Sequence, residues 1–246
     1  MKLAAFALVA AAMLIARPTV ATESFGGWAG VIVSGDDRAA HVDAPTEAFD
    51  NARRDIASEL ERRGFAAADI EEFSVEPNRH SVARLATPAA IGADLRRLAA
   101  RAPDGCLFYL TSHGSPDGAE LGARLVSPRA LGRLIGHACG RRPTIVVISA
   151  CYSGVFVPAL AGANRLIITA ARRDRSSFGC GEADKYPYFD GCVLEVLPAA
   201  ADFIALADKA RACVARRERE EGMAPPSEPQ IFVGPRFRSP RFAGVG

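Results

Sequence analysis

Two residues that directly follow apolar segments have side chains suited to nucleophilic catalysis. The apolar run at residues 106–110 leads into TSHG, which contains His113, and the run at residues 144–148 leads into SACYSG, which contains Cys151. A cysteine thiol is mostly protonated near neutral pH, and a neighbouring imidazole can take its proton and later protonate a leaving amine. Either residue alone is usually a packing or surface residue, but the two together indicate a catalytic pair.

Small residues beside this pair indicate how a reacting carbonyl would be accommodated. Gly114 follows His113 and leaves room for a substrate. The backbone N–H groups of Gly114 and Cys151 are candidate donors of an oxyanion hole, which stabilises the negative charge that develops on the carbonyl oxygen. A helix beginning after Gly154 would further favour the thiolate form of the cysteine.

The elements that must position these residues alternate between strands and amphipathic helices. Short apolar runs predict strands at residues 31–33, 70–75, 106–110, 144–148, 166–169 and 231–233. Phe49, Ala52, Ile56 and Leu60 form one apolar helix face, which Gly64 ends. This alternation predicts an α/β fold with a mainly parallel sheet and helices on both faces.

The connections between these elements bring the two motifs together. Thr87-Pro88 and Ser127-Pro128 each combine a capping hydroxyl with a proline in the first helical turn. Residues 117–127 have the composition of a small hairpin, and residues 189–221 form a helical region broken near Pro198. A single helix joins the two motif-bearing strands, so a right-handed crossover would place their carboxyl ends at one edge of the sheet.

The N-terminal residues predict export of the protein. Residues 1–21 contain Lys2, an apolar run and small residues before Thr22, the pattern of a cleaved secretory signal peptide, and residues 22–246 are expected to form one domain. An N-terminal anchor is the alternative, but the apolar run is shorter than the roughly 20 residues that a bilayer span needs. A periplasmic or secreted protein is expected, with no stable membrane insertion once the leader is cleaved.

Charge and cysteine spacing exclude several classes of protein. The formal net charge is +2 and no basic stripe with interleaved aromatic residues is present, which argues against nucleic acid as a partner. The six cysteines match no zinc-binding spacing, and the proposed chemistry needs no metal or organic cofactor. Cys106 and Cys139 are expected to be packing residues. A Cys180–Cys192 disulfide is an open alternative, and at least one cysteine besides Cys151 should be free.

The SHG and SACYSG motifs resemble those of the legumain family of cysteine peptidases, and the resemblance extends from residue 28 to about residue 233. This family belongs with caspases, metacaspases and gingipains to a larger group with a His-Gly and an Ala-Cys motif at the ends of neighbouring strands. The resemblance implies a caspase-like three-layer sandwich. It also implies a substrate pocket for the P1 side chain, formed by His41, Ser176, Ser177 and Asp190.

The resemblance implies a cysteine endopeptidase that acts on a peptide or protein substrate through His113 and Cys151, with Asn or Asp preferred at P1. Ala40 stands where animal and plant members have an Arg before the pocket His, although Arg38 is close. The Ala- and Arg-rich composition suggests a bacterial member. Two alternatives remain open, a transamidase or peptide ligase that uses the same acyl-enzyme, and a non-catalytic binding protein that keeps the fold. An α/β-hydrolase is disfavoured because no G-x-S-x-G motif occurs.

Overall fold

The computed structural model describes residues 24–40, 44–79 and 83–244. Its main element is a sheet of seven strands, namely β1 (Trp28–Ser34), β2 (Ile70–Ser74), β3 (Arg84–Leu85), β4 (Gly105–Thr111), β8 (Thr144–Ser149), β9 (Arg165–Thr169) and β10 (Gln230–Val233). The strand order is β10-β9-β8-β4-β1-β2-β3, and all neighbouring strands are parallel except β10, which runs antiparallel to β9. A separate three-stranded hairpin sheet comprises β5 (Gly114–Ser115), β6 (Gly118–Leu121) and β7 (Arg124–Val126).

Helices cover both faces of the large sheet, as the sequence predicts. The helices are α1 (Ala48–Arg62), α2 (Pro88–Arg101), α3 (Pro128–Cys139), α4 (Val157–Leu160), α5 (Tyr188–Val196) and α6 (Phe203–Glu220). Apolar residues of α1, α5 and α6 pack on one face, and those of α2, α3 and α4 pack on the other. In β1, Ile32 points into the first cluster while Val31 and Val33 point into the second, which explains why the strand is apolar without alternation.

Both predicted helix starts have the expected capping hydrogen bond. The Thr87 hydroxyl accepts a hydrogen bond from the Ala90 N–H at 3.1 Å, and the Ser127 hydroxyl accepts one from the Ala130 N–H at 3.3 Å. The predicted break in the last helical region is a short 3-10 turn, Leu197–Ala199, between α5 and α6. These local signals therefore set the starts of α2 and α3, the helices that precede and follow β4 and His113 in the chain.

Two disulfides overturn part of the cysteine prediction. Cys106 at the start of β4 is bonded to Cys139 at the end of α3, with Cα atoms 6.1 Å apart. Both residues are buried in the core, as expected of packing residues, but the disulfide between them was not predicted. Cys192 in α5 is bonded to Cys213 in α6, which rules out the alternative pairing of Cys192 with Cys180. The two remaining cysteines, Cys151 and Cys180, are free.

The predicted leader, residues 1–21, lies outside the described residues, so its cleavage stays a prediction. Within the parts of the chain that the structure describes, no helix has the length and apolar character needed to cross a membrane.

Candidate functional site

The register of two neighbouring strands brings His113 and Cys151 to the same edge of the sheet. Thr111 at the end of β4 pairs with Ser149 at the end of β8, and the Ser112 N–H donates a hydrogen bond to the Ser149 carbonyl at 3.0 Å. His113 and Cys151 therefore each lie two residues beyond a paired position. Both residues line one open cleft of about 750 Å³. The expected juxtaposition of the two motifs is thus present in the fold.

The His113 imidazole is fixed by one hydrogen bond and one ring contact. Its Nε2 atom lies 2.9 Å from the Arg38 carbonyl oxygen, and its ring meets the Phe49 ring edge-on at a centroid distance of 5.0 Å. A carbonyl can only accept, so Nε2 carries the proton in this contact and Nδ1 is left to accept one. The contact therefore fixes the tautomer of the imidazole and leaves Nδ1 as its hydrogen-bond acceptor.

The Cys151 thiol is partly buried and is contacted by the segment that follows β9. The Ser177 N–H donates a hydrogen bond to the Cys151 Sγ at 3.2 Å. Burial raises the pKa of the Cys151 thiol, while hydrogen bonds from the Ser177 backbone and the Ser176 hydroxyl act in the opposite direction. The net shift is upward, so the resting thiol keeps its proton and depends on a base to become a nucleophile.

The helix expected after Gly154 is too short to favour the thiolate form of Cys151 appreciably. It consists of a 3-10 turn, Ser153–Phe156, followed by the single turn of α4. The macrodipole effect comes from aligned peptides along a longer helix, so one turn contributes little to lowering the pKa of Cys151. The two hydrogen bonds from Ser176 and Ser177 provide the stabilisation of the thiolate instead.

A strained turn presents Cys151, and the segment after β9 holds this turn in place. Tyr152 has a left-handed backbone with φ of 57°, and its N–H donates to the Arg175 carbonyl at 2.8 Å. The Gly154 N–H donates to the Ala171 carbonyl at 2.9 Å. Sequence reasoning did not foresee this support, because no local pattern shows which loop lies against the turn.

Gly114 fits between the two motifs only because it lacks a side chain. A Cβ atom at this position would lie 2.3 Å from the Cys151 carbonyl oxygen and 3.0 Å from the Ala150 Cβ. Both predicted oxyanion residues, Gly114 and Cys151, line the cleft. The close approach of their backbones explains why glycine follows His113 here.

Two charged residues, Arg38 and Glu120, line the cleft beside His113, and the sequence reasoning missed Glu120. Glu120 in β6 lines the cleft, and its N–H donates to the His113 carbonyl at 3.0 Å. Arg38 lies 3.5 Å from a carboxylate oxygen of Glu120 and 3.5 Å from one of Asp36. Burial and a hydrogen bond with Asp36 raise the pKa of Glu120. Asp36 shapes the turn after β1, since its Oδ1 accepts a hydrogen bond from the Arg38 N–H at 3.0 Å.

Asp190 was predicted to line the P1 pocket, but it lies in the protein interior instead. Its side chain is fully buried in α5 and does not line the cleft. Its carboxylate accepts hydrogen bonds from the hydroxyls of Tyr109 at 2.5 Å, Thr111 at 2.6 Å and Ser149 at 2.9 Å. Thr111 and Ser149 are the last residues of β4 and β8, so Asp190 joins the two strand ends that precede His113 and Cys151.

The buried Asp190 carboxyl gives a testable dependence of stability on pH. Burial raises its pKa from the ordinary value of 3.8 to about 6, against the effect of its three hydroxyl donors. As the pH rises from about 4 to about 6, the unfolded chain loses this proton before the folded chain does. This residue's contribution to the free energy of unfolding therefore falls over that window, by on the order of 3 kcal/mol.

Asp190→Asn removes this titration while keeping the shape of the side chain. The free energy of unfolding of the natural protein, minus that of the variant, is expected to fall as the pH rises from 4 to 6 and then to level off. Denaturant unfolding at a series of pH values measures this difference. A difference that stays constant across the window would contradict the role given to the buried carboxyl.

The other residues of the predicted pocket divide into two groups. Ser176 and Ser177 line the cleft next to Cys151, as does Ala40, whose N–H donates to the Cys180 carbonyl at 2.7 Å. His41 lies outside the described residues, so its place in the pocket stays a prediction.

Among the residues that the structure describes, no cluster of three or more His, Cys, Asp or Glu side chains has a metal-binding arrangement.

Comparison with known proteins supports the fold and the family. A model of the peptidase C13 family matches residues 29–195, which is more than half of the chain. Among solved structures, the crystal structure of caspase-1 from Spodoptera frugiperda is similar, with a TM-score of 0.62, 15% identity, and coverage of 92% of this chain and 94% of that one. At this identity the likeness shows the caspase-like fold alone. No curated protein matches the sequence.

Proposed function

Because the chain belongs to the peptidase C13 family of cysteine peptidases, we propose that it is an endopeptidase with Cys151 as nucleophile and His113 as the proton-transfer residue. The observation that carries this proposal is the shared cleft. Both side chains line it, at the ends of paired neighbouring strands. In this cleft the Cys151 thiol is hydrogen-bonded and the imidazole is oriented by the Arg38 carbonyl.

The reaction begins with proton transfer from the thiol. Nδ1 of His113 takes the Cys151 proton as Sγ attacks the scissile carbonyl carbon, and the electron pair of the C=O bond moves to oxygen. The backbone N–H groups of Gly114 and Cys151 stabilise that oxyanion. Collapse of the intermediate breaks the C–N bond, and the imidazolium gives its proton to the leaving amine. His113 then takes a proton from a water molecule, whose oxygen attacks the thioester carbon. The C–S bond breaks, the peptide acid leaves, and the proton returns to Sγ to restore the thiol.

The cleft wall next to Cys151 supports a pocket for a polar P1 side chain. The hydroxyls of Ser176 and Ser177 can bond to an amide or a carboxylate, and the Arg38 guanidinium, which is paired with Asp36 and Glu120, lines the same cleft. We assign His41 to the same pocket, and Asn or Asp to the P1 position. Asp190 acts below the pocket as a positioning residue, because its contacts are with the strand ends.

A panel of fluorogenic peptides that differ only at P1 tests the assignment of activity and specificity. The protein is expected to cleave the Asn and Asp peptides with a higher kcat/KM than the Ala, Leu and Lys peptides. Ser177→Ala should reduce this preference because it removes one hydroxyl from the pocket wall but keeps the backbone N–H that contacts Cys151. An unchanged P1 profile in the variant would contradict the assignment, and cleavage of no peptide would contradict the activity.

We also propose that residues 22–246 are the mature, exported form of the protein, in the periplasm or outside the cell. Two disulfides, Cys106–Cys139 and Cys192–Cys213, support this proposal because such bonds persist in oxidising compartments. Mass measurement of the protein recovered from cells tests both parts, since it should show an N-terminus near Thr22 and two disulfides. A full-length, fully reduced chain would contradict it.

A further inference from the structure

Four arginines line a second pocket at the opposite end of the sheet from the catalytic cleft. The pocket has a volume of about 410 Å³, and Arg141, Arg142, Arg165 and Arg236 contribute to its wall. It lies where β8 and β9 begin, whereas Cys151 lies beyond the end of β8. The proposed peptidase chemistry makes no use of these arginines.

No acidic residue neutralises this cluster within the described part of the chain. The pocket wall contains no Asp or Glu, and none of its four arginines forms an ion pair there. Other arginines of the chain are paired with a carboxylate, as Arg53 is with Asp50 and Arg172 is with Asp174. Like charges held together without counter-charges repel one another, so the cluster is electrostatically suited to an anion.

Arg165 is the deepest member of the cluster and has an unused donor. Burial lowers the pKa of its guanidinium, and its Nη1 atom is buried without a hydrogen-bond partner among the described residues. Its Nη2 atom donates to the Gly140 carbonyl at a long 3.5 Å. A buried donor without an acceptor is costly, and a ligand oxygen at this position would remove that cost.

The backbone around the pocket is held by hydrogen bonds, so the arginines are presented on a preformed wall. The Gly234 N–H donates to the Arg165 carbonyl at 2.7 Å, and the Arg236 N–H donates to the Ala163 carbonyl at 2.8 Å. A Cβ atom at Gly234 would lie 2.2 Å from the Gly162 carbonyl oxygen. The segment that carries Arg236 is thus packed closely on the loop that precedes Arg165.

We propose that this pocket binds the phosphate group of an anionic ligand. The planar guanidinium group pairs with phosphate oxygens through two parallel hydrogen bonds, which matches several arginines around one small pocket. Phosphate also carries more negative charge than a carboxylate, and so neutralises more of the cluster. The proposal concerns binding at a site apart from the catalytic cleft and does not depend on the peptidase activity.

Calorimetric titration of the Cys151→Ala protein with inorganic pyrophosphate tests the site without interference from catalysis. Saturable binding that weakens with added salt is expected. Arg165→Gln and Arg236→Gln should each weaken it about tenfold or more, since each removes a charge-assisted contact. Arg236 is exposed, so its replacement leaves the fold intact even if the Arg165 variant is unstable. Absence of saturable binding would overturn the proposal.

Arg219→Gln is the matched control, because Arg219 is exposed on α6 away from the pocket. This variant should bind pyrophosphate as the parent protein does, and equal weakening in all three variants would also overturn the proposal. Co-sedimentation with phosphatidylcholine vesicles, with and without phosphatidylglycerol, distinguishes two sources of the phosphate. Sedimentation only with the anionic vesicles, lost in Arg236→Gln, identifies a lipid headgroup. Pyrophosphate binding without sedimentation identifies a soluble phosphate ester.

Discussion

Cys151→Ala is expected to lower kcat/KM for peptide cleavage by a factor of about 10⁴ or more, since the nucleophile that forms the acyl-enzyme is lost. The replacement removes one sulfur atom from a partly buried position and leaves the backbone N–H of residue 151 in place. The thermal unfolding temperature should therefore change little. Initial rates on the best peptide of the P1 panel measure the effect.

Cys180→Ala is the control for this experiment, because Cys180 is the other free cysteine and lines the same cleft. Burial, with the nearby charge of Cys151, raises the pKa of the Cys180 thiol to about 12, so this side chain stays a neutral thiol at ordinary pH. Its replacement should leave kcat within a few-fold of the parent. Loss of activity in Cys180→Ala and its retention in Cys151→Ala would reverse the assignment of the nucleophile.

His113→Gln is expected to lower kcat by about 10² to 10⁴, the range over which a positioned general acid or base contributes. Glutamine can keep the contact with the Arg38 carbonyl through its amide, but it cannot take the thiol proton. Burial raises the pKa of Cys151, so the residual activity of the variant should increase as the pH rises and more thiolate forms in solution.

The matched control for the histidine is His137→Gln, which makes the same chemical change on the exposed side of α3. Its kcat and pH profile should be those of the parent protein. A His113→Gln variant with full activity and an unchanged pH profile would show that another group carries the proton.

The positions of the strands and helices could be predicted because their signals are local. Continuous apolar runs marked β4 and β8, and the Thr87-Pro88 and Ser127-Pro128 pairs marked the starts of α2 and α3, where both hydroxyls accept the expected N–H bonds. The crossover rule then placed His113 and Cys151 at one sheet edge. These parts of the account needed only sequence spacing and the handedness of parallel connections.

Features that depend on which distant segments meet could not be read from the sequence. Cys106 and Cys139 are separated by 33 residues, and only the packing of α3 on β4 brings them within bonding distance. Asp190 was placed on the pocket wall, but its burial beneath Thr111 and Ser149 depends on how α5 packs on the sheet. Glu120 was missed because its hairpin gives no sign of lying beside His113.

The most direct test of the central claim is to locate the covalent bond that the enzyme forms with a substrate mimic. A peptide ending in a chloromethyl ketone, with Asn or Asp at P1, should alkylate the native protein once with loss of chloride, and peptide mapping should place the thioether on Cys151. Labelling should be much slower in His113→Gln, in which the base is missing. An adduct on Cys180, or no adduct in a protein that still cleaves peptides, would contradict the mechanism.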